Sequence, residues 1–175
     1  MYFDHSATTP VHPDVQNLIN VTQKEVYGNP SSTYSPGKKA RLMLEKSREQ
    51  IAKSINTIPS KIIFNSGGTE ANNHVFWSIL GNNKNHVISN ESEHPAVIKV
   101  LQTLKNFGLE YCLVKVDKNG LINLSELESK IKKNTGLISI MLANNEIGTI
   151  QPVEQVVEIA KKHNILVHTD AVQCL

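Results

Sequence analysis

The chain has 175 residues, 39% of them hydrophobic and 19% charged, and 18 Lys+Arg against 16 Asp+Glu leave a formal net charge of +2. This composition predicts a globular domain with a sizeable core and disfavours disorder, collagen and coiled coil. A charge so near zero, with no long run of Lys and Arg, offers no electrostatic footprint for nucleic acid or an acidic membrane.

In chain order, a short extended start leads to Pro13, placed as a first helical residue, with Val15, Leu18, Ile19 and Val26 following at roughly helical spacing. Gly28-Asn29-Pro30-Ser31-Ser32 interrupts that pattern. A second, amphipathic helix is expected from about Pro36 to Asn56. Beyond Lys61, short apolar runs at 62–64, 86–88, 111–116, 137–143 and 165–168 read as strands. Helical stretches at 70–80, 95–107, 124–132 and 153–163 separate them. The series is βαβ, and it predicts an α/β fold with a mostly parallel sheet covered by helices. No covering helix follows the last strand within the chain; if that end is the natural terminus, an edge strand or an apolar helix face is expected to stand exposed.

Cys112 and Cys174 lack a CxxC or a His partner at metal spacing, so neither a disulfide framework nor a metal site is expected and a reducing compartment suits them. Both read as packing residues. The opening Tyr2-Phe3-Asp4-His5 does not look like a leader, and no window is apolar enough to span a membrane; a cytoplasmic protein is expected.

Ligands of parallel α/β sheets bind at the carboxyl ends of the strands, and four of the five expected ends carry polar residues. Ser66-Gly67-Gly68-Thr69 leads directly into a helix, where free amides and the helix dipole suit a phosphate. The segment matches neither the triphosphate loop nor the dinucleotide fingerprint, which leaves a phosphate monoester or simply a tight turn capped by Thr69. His94 precedes Pro95 at a helix start, fitting either a flat ring that stacks on an aromatic ligand and moves protons, or an ordinary cap. Asp170 closes the apolar run Ile165-Leu166-Val167, placed to hold a protonated ring nitrogen or to form a structural cap or salt bridge. Asn144, Asn145 and Gln173 supply uncharged donors and acceptors. Phosphate cradle, stacking ring and buried carboxylate together describe one ligand, pyridoxal 5′-phosphate.

The residues resemble a known family. Tyr2-Phe3-Asp4-His5-Ser6-Ala7-Thr8-Thr9-Pro10, Gly28 to Ser32, Ser66 to Asn73, Ser92-Glu93-His94, Asn144-Asn145-Glu146-Ile147-Gly148 and His168 to Gln173 resemble, in order and spacing, the cysteine desulfurases of the NifS/IscS type. These belong to the class V aminotransferases of pyridoxal-phosphate fold type I. The resemblance implies an extended arm over 1–12 and, over 13–175, part of the cofactor-binding large domain. It implies that Gly68 and Thr69 bind the cofactor phosphate. His94 would be the catalytic residue that stacks on the pyridine ring, and Asp170 would pair with the ring nitrogen. Asn145 and Gln173 would contact the phenolic oxygen, with Asn145 also near the substrate carboxylate. The implied substrate is L-cysteine, the implied products are alanine and an enzyme persulfide for iron–sulfur cluster assembly or tRNA thiolation, and the implied assembly is a homodimer that passes sulfur to an acceptor or scaffold protein.

Two family elements have no counterpart in these residues. The family's cofactor-bearing lysine stands in a Ser-x-His-Lys segment after the Asp-x-x-Gln stretch, and its sulfur-carrying cysteine lies on a later mobile loop. No lysine here has that context, and Arg41 and Arg48 fall on the second expected helix. The chain by itself is therefore expected to be inactive. A non-catalytic binding remnant, one half of a split enzyme, and another class V chemistry are the alternative readings.

Overall fold

The computed structural model describes residues 1–81 and 83–174. It divides into two compact units, Met1–Phe64 and Asn65–Leu175.

In the first unit, residues 1–12 carry no helix or strand, and α1 (Pro13–Glu25) begins at its proline with His12 capping Asp14 N through Nδ1. A loop leads to α2 (Ser35–Ser54), followed by a 3₁₀ turn at Pro59–Lys61. The Gly28–Ser32 loop packs tightly on the first turn of α2. A Cβ on Gly28 would meet Pro36 O at 2.4 Å, one on Gly37 would meet Asn29 O at 2.6 Å, and Arg41 Nε donates to Pro30 O at 2.7 Å. Neither glycine tolerates a side chain there without moving backbone. The expected strand at 62–64 does not form. It follows the 3₁₀ turn directly, Ile62 O accepts from the Arg48 guanidinium, and that guanidinium lies 4.9 Å over the Phe64 ring. A carbonyl that a strand ladder would use is thus held by an arginine.

The second unit runs α3 (Gly68–Ile79), β1 (His86–Asn90), α4 (Pro95–Lys105), β2 (Glu110–Val114), α5 (Leu124–Ser129), β3 (Thr135–Ser139), α6 (Val153–Lys162) and β4 (Leu166–His168). The four strands form one parallel sheet in the order β2-β1-β3-β4. The parallel α/β expectation therefore holds, with strand and helix ends moved by a few residues. Alternate strand residues feed opposite faces. Val87 and Leu137 join Phe76, Val97, Leu101 and Leu104 of α3 and α4 in one apolar cluster. Ile88, Val114 and Ile138 join Leu127, Val156, Ile159 and Ala160 of α5 and α6 in the other. Helices cover both faces because both faces are apolar.

Chain order reverses at β1: from it the chain moves to β2 on one side and then to β3 on the other. The carboxyl ends of β1 and β3 therefore flank a topological switch point, where sheets of this kind open a crevice. Cys112 lies half-buried in β2 against the core, as expected, and burial pushes its thiol up. Cys174 is exposed and is not a packing residue: the chain has left the sheet at Asp170 and turned, with Cys174 N bonded to Ala171 O. Leu166 on the edge strand is exposed, as are Val15, Leu18 and Ile19 along α1, which buries no residue.

Candidate functional site

Four segments meet at the carboxyl ends of the strands. The first is the start of α3. Gly67 is its N-cap and makes no side-chain cap bond, so Thr69 is the second helical residue and not the cap. The first-turn amides of Gly68, Thr69 and Glu70 have no acceptor within the helix. Nothing stands within 4 Å of a Cβ built on Gly67, so the turn opens onto free space. Glu70 reaches back to accept from Ser66 N at 2.6 Å, and hydrogen bonding from the Ser66 side chain, with this backbone bond adding to it, holds its carboxyl below the usual range.

The second segment joins β1 to α4. His94 is exposed and caps α4, its Nδ1 accepting from Ala96 N at 3.1 Å. With Nδ1 so engaged, the neutral ring carries its proton on Nε2. His94 and Thr69 line the same cleft of about 450 Å³, with Asn73, Trp77 and Lys99 also in its wall. Among the described residues, Asp170, Asn145 and Gln173 are not part of that wall.

The third segment continues β3. Asn144 is buried and fixes the loop after it: its Oδ1 accepts from Glu146 N and Ile147 N, and its Nδ2 donates to Ser92 O at 2.8 Å. Asn145 is half-buried in that loop, which Gly148 N closes onto Asn144 O. Asn144 is therefore a scaffold residue that ties the third segment to the second.

The fourth segment is the end of β4. Asp170 is 9% exposed; its Oδ2 accepts from Asn72 Nδ2 of α3 at 2.8 Å and its Oδ1 from Val172 N at 3.1 Å. Asn72 is itself buried, so the carboxylate and its amide partner form a bond between α3 and the sheet. A Cβ on Gly68 would meet Val172 Cγ2 at 2.9 Å, which sets the start of α3 against the Asp170–Gln173 turn. Gln173 is exposed on that turn.

The fold thus gathers Gly68, Thr69, His94, Asn145, Asp170 and Gln173 at one end of the sheet, with Thr69 and His94 sharing a cleft and Gly68 and Asp170 joined through α3. Sequence reasoning passed over Asn72, whose position on a helix gives no sign that it faces a carboxylate 98 residues away. It also gave no role to Glu93 or to His168. His168 Nδ1 lies 2.9 Å from Ser139 Oγ and its ring meets Phe76 edge-on at 5.5 Å; burial pulls its pKa down.

Glu93 is 6% exposed. Its Oε1 accepts from Met141 N at 2.7 Å and from Asn90 Nδ2. Burial, with the Asp170 charge adding to it, pushes the Glu93 carboxyl up to about 8.

The pattern of the class-V aminotransferase family matches residues 1–175. The cysteine desulfurase IscS of Dictyoglomus turgidum is 42% identical over 99% of this chain and 45% of its own length. The mitochondrial cysteine desulfurase of Arabidopsis thaliana is 41% identical over 100% of this chain and 40% of its own length. Among solved structures, a NifS-like protein superposes with a TM-score of 0.96 at 42% identity, covering 100% of this chain and 50% of that one. A structure described as SspA in complex with cysteine gives 0.92 at 34% identity, covering 99% of this chain and 51% of that one. The chain spans a little under half the length of the curated relatives it matches. From its matched length, its fold and these relatives, the chain belongs to the class-V aminotransferase family and is similar to the cysteine desulfurases within it.

Proposed function

We propose that this chain forms the pyridoxal 5′-phosphate-binding part of a cysteine desulfurase that removes sulfur from L-cysteine. The observation that carries the reading is the buried Asp170 carboxylate, tied through Asn72 to the helix whose open first turn carries Gly68 and Thr69. A phosphate and a ring nitrogen are the two ends of one ligand, and this geometry offers a partner for each. When bound, the cofactor supplies an electron sink that stabilises negative charge on the amino-acid substrate.

The residues divide the work as follows. The amides of Gly68 and Thr69, with the Thr69 hydroxyl, hold the phosphate at the positive end of the α3 dipole. Asp170 would pair with the ring nitrogen and keep it protonated. His94 would stack its exposed ring on the cofactor; because Nδ1 is spent on Ala96 N, Nε2 is the atom left to hold or pass a proton. Asn145 and Gln173 contact the phenolic oxygen, and Asn145 also meets the substrate carboxylate. Overall, L-cysteine gives alanine and an enzyme-bound persulfide. The sulfur then goes to an acceptor or scaffold protein for iron–sulfur cluster assembly or tRNA thiolation, and the working assembly is a cytoplasmic homodimer.

Trp77, the single tryptophan, lines the cleft with Thr69 and His94 and reports on binding. Pyridoxal 5′-phosphate is expected to quench its fluorescence saturably, and Asp170→Ala to weaken that binding. Quenching that does not saturate would overturn the cofactor assignment. For the reaction, alanine and sulfide release from L-cysteine is compared for this chain alone and with a polypeptide covering the rest of a relative's length. The chain alone is expected to be inactive and the complemented one active. Saturable cofactor binding with no alanine from the complemented assembly would favour a binding remnant or another class V chemistry.

A further inference from the structure

Glu93 is a buried acid to which the proposed reaction gives no task, and its surroundings are unusual. β1 ends at Asn90, yet the backbone of β3 runs on past Ser139. On one side of this extension Leu142 N bonds to Asp170 O at 3.0 Å, continuing the pairing with β4. On the other side no strand remains, and the preceding amide, Met141 N, is taken by Glu93 Oε1 at 2.7 Å. A side chain thus replaces the missing strand across the seam where chain order reverses. The same oxygen accepts from Asn90 Nδ2, so both of its acceptor directions are used. Oε2 is buried and has no hydrogen-bond partner among the described residues.

Among the described residues, no Lys, Arg or His forms an ion pair with Glu93. Of the charged groups on the elements packed around it, the one that acts on it is Asp170, of the same sign. Burying two negative charges that act on each other, with no cation paired to Glu93, is costly, and protonating one of them removes the cost. Because Oε1 is committed as an acceptor, the proton belongs on Oε2.

We propose that Glu93 is a positioning residue: a neutral carboxyl that fixes the His94 segment to the end of β3 at Met141 and keeps a second negative charge away from Asp170. The inference deepens the proposed cofactor site and rests on that reading for its functional half. Its structural half stands on the contacts alone. Ionising Glu93 would place two like charges at the end of the sheet and disturb the carboxylate that meets the ring nitrogen.

The test uses wild type, Glu93→Gln and Glu93→Ala. Glutamine keeps an acceptor for Met141 N and has no proton to lose, whereas alanine takes the acceptor from Met141 N and Asn90 Nδ2. Carboxyl resonances of isotope-labelled glutamate, followed against pH without cofactor, are expected to show one signal that titrates near 8, apart from all others, and that is missing in Glu93→Gln. If every glutamate titrates in the ordinary range, the neutral-carboxyl assignment is overturned. Cofactor binding through Trp77 is the second reading. At neutral pH, Glu93→Gln is expected to bind within about twofold of wild type and Glu93→Ala about tenfold or more weakly, as for a buried amide left unpaired. Above pH 8 wild type should lose affinity relative to Glu93→Gln. Equal pH profiles for those two proteins would overturn the influence on Asp170. Loss of cofactor binding in all three proteins would instead count against the cofactor site, with the carboxyl titration still deciding the state of Glu93.

Discussion

The two compact units treat the same kind of amphipathic helix differently. In Asn65–Leu175, α4 sets Val97, Val100, Leu101 and Leu104 against strand residues Val87 and Leu137, and each of them is buried. In Met1–Phe64, α1 has Val15, Leu18 and Ile19 at matching spacing, yet all three remain exposed and the helix buries nothing. α2 buries only Gly37, Ala40 and Ala52 and leaves Leu42 and Ile51 exposed. Hydrophobic periodicity therefore reports which face of a helix is apolar. Whether that face is covered depends on a sheet being there to meet it, and only the second unit has one.

The largest expected effect belongs to the second unit and is read through pH. Glu93 has its ordinary carboxyl value of 4.5 when unfolded and about 8 when folded. Its folded pKa is raised, so the stability it contributes is fully present below 4.5 and is lost as pH rises to about 8. The slope is about 1.4 kcal/mol per pH unit, a total on the order of 5 kcal/mol. His86 and His168 act in the opposite sense. Burial lowers both, so their contribution is present above 6.5 and is lost as pH falls below it. Urea unfolding at a series of pH values should show Glu93→Gln gaining on wild type as pH rises from 4.5 to 8. The variant should also show more plainly the histidine loss on acidification. A constant difference between the two proteins across that range would contradict the assignment.

Next in size is the core itself. Phe76 is fully buried and meets His168 edge-on, so Phe76→Ala is expected to cost about 3–5 kcal/mol in urea unfolding, the usual range for emptying a packed aromatic site. A cost below about 1 kcal/mol would mean that the second unit is packed no better than the first. Smaller again is the loss at the sheet end. Asp170→Ala strands the buried Asn72 amide and should cost about 1–3 kcal/mol, while Cys174→Ser, at an exposed position, should be neutral to about 0.5 kcal/mol. Equal costs would return Asp170 to an ordinary surface role.

Much of the second unit was legible in the sequence because its signals are local and repeated. Apolar runs with helices between them pointed to the parallel sheet, and Pro95, like Pro13 in the first unit, marked a helix start to the residue. Residues 62–64 misled because a β-branched, aromatic run looks the same whether a neighbouring strand or an arginine takes its carbonyl. At the site, glycines before a helix, a His-Pro step and a carboxylate closing an apolar run each carry a local mark. Asn72 and Glu93 carry none. One is an amide within a helix, and the other stands in a polar loop and acts on Met141, 48 residues away. Partnerships set by the switch in strand order become visible only once the strands are ordered.

The smallest expected effect lies on α1. Leu18 is 57% exposed and its neighbours on the stripe are also open to solvent, so truncating it removes little burial. Two contacts between α1 and α2 are polar or soft: Glu25 with Lys39 at 3.6 Å, both exposed, and Thr22 Oγ1 with Met43 Sδ at 4.0 Å. An exposed ion pair contributes little, and a long hydroxyl–sulfur contact no more. Leu18→Ala should therefore change urea stability by less than about 0.5 kcal/mol, and leucine's slightly lower helix propensity than alanine works in the variant's favour. Hydrogen exchange gives the same comparison without a mutation. The α1 amides should exchange well before those of β1 and β3, because local opening there gives up no buried apolar surface. A destabilisation of 2 kcal/mol or more by Leu18→Ala, roughly what burying a leucine contributes, would show that the stripe is covered in solution. The contrast between the two units would then be one of which partner covers each face.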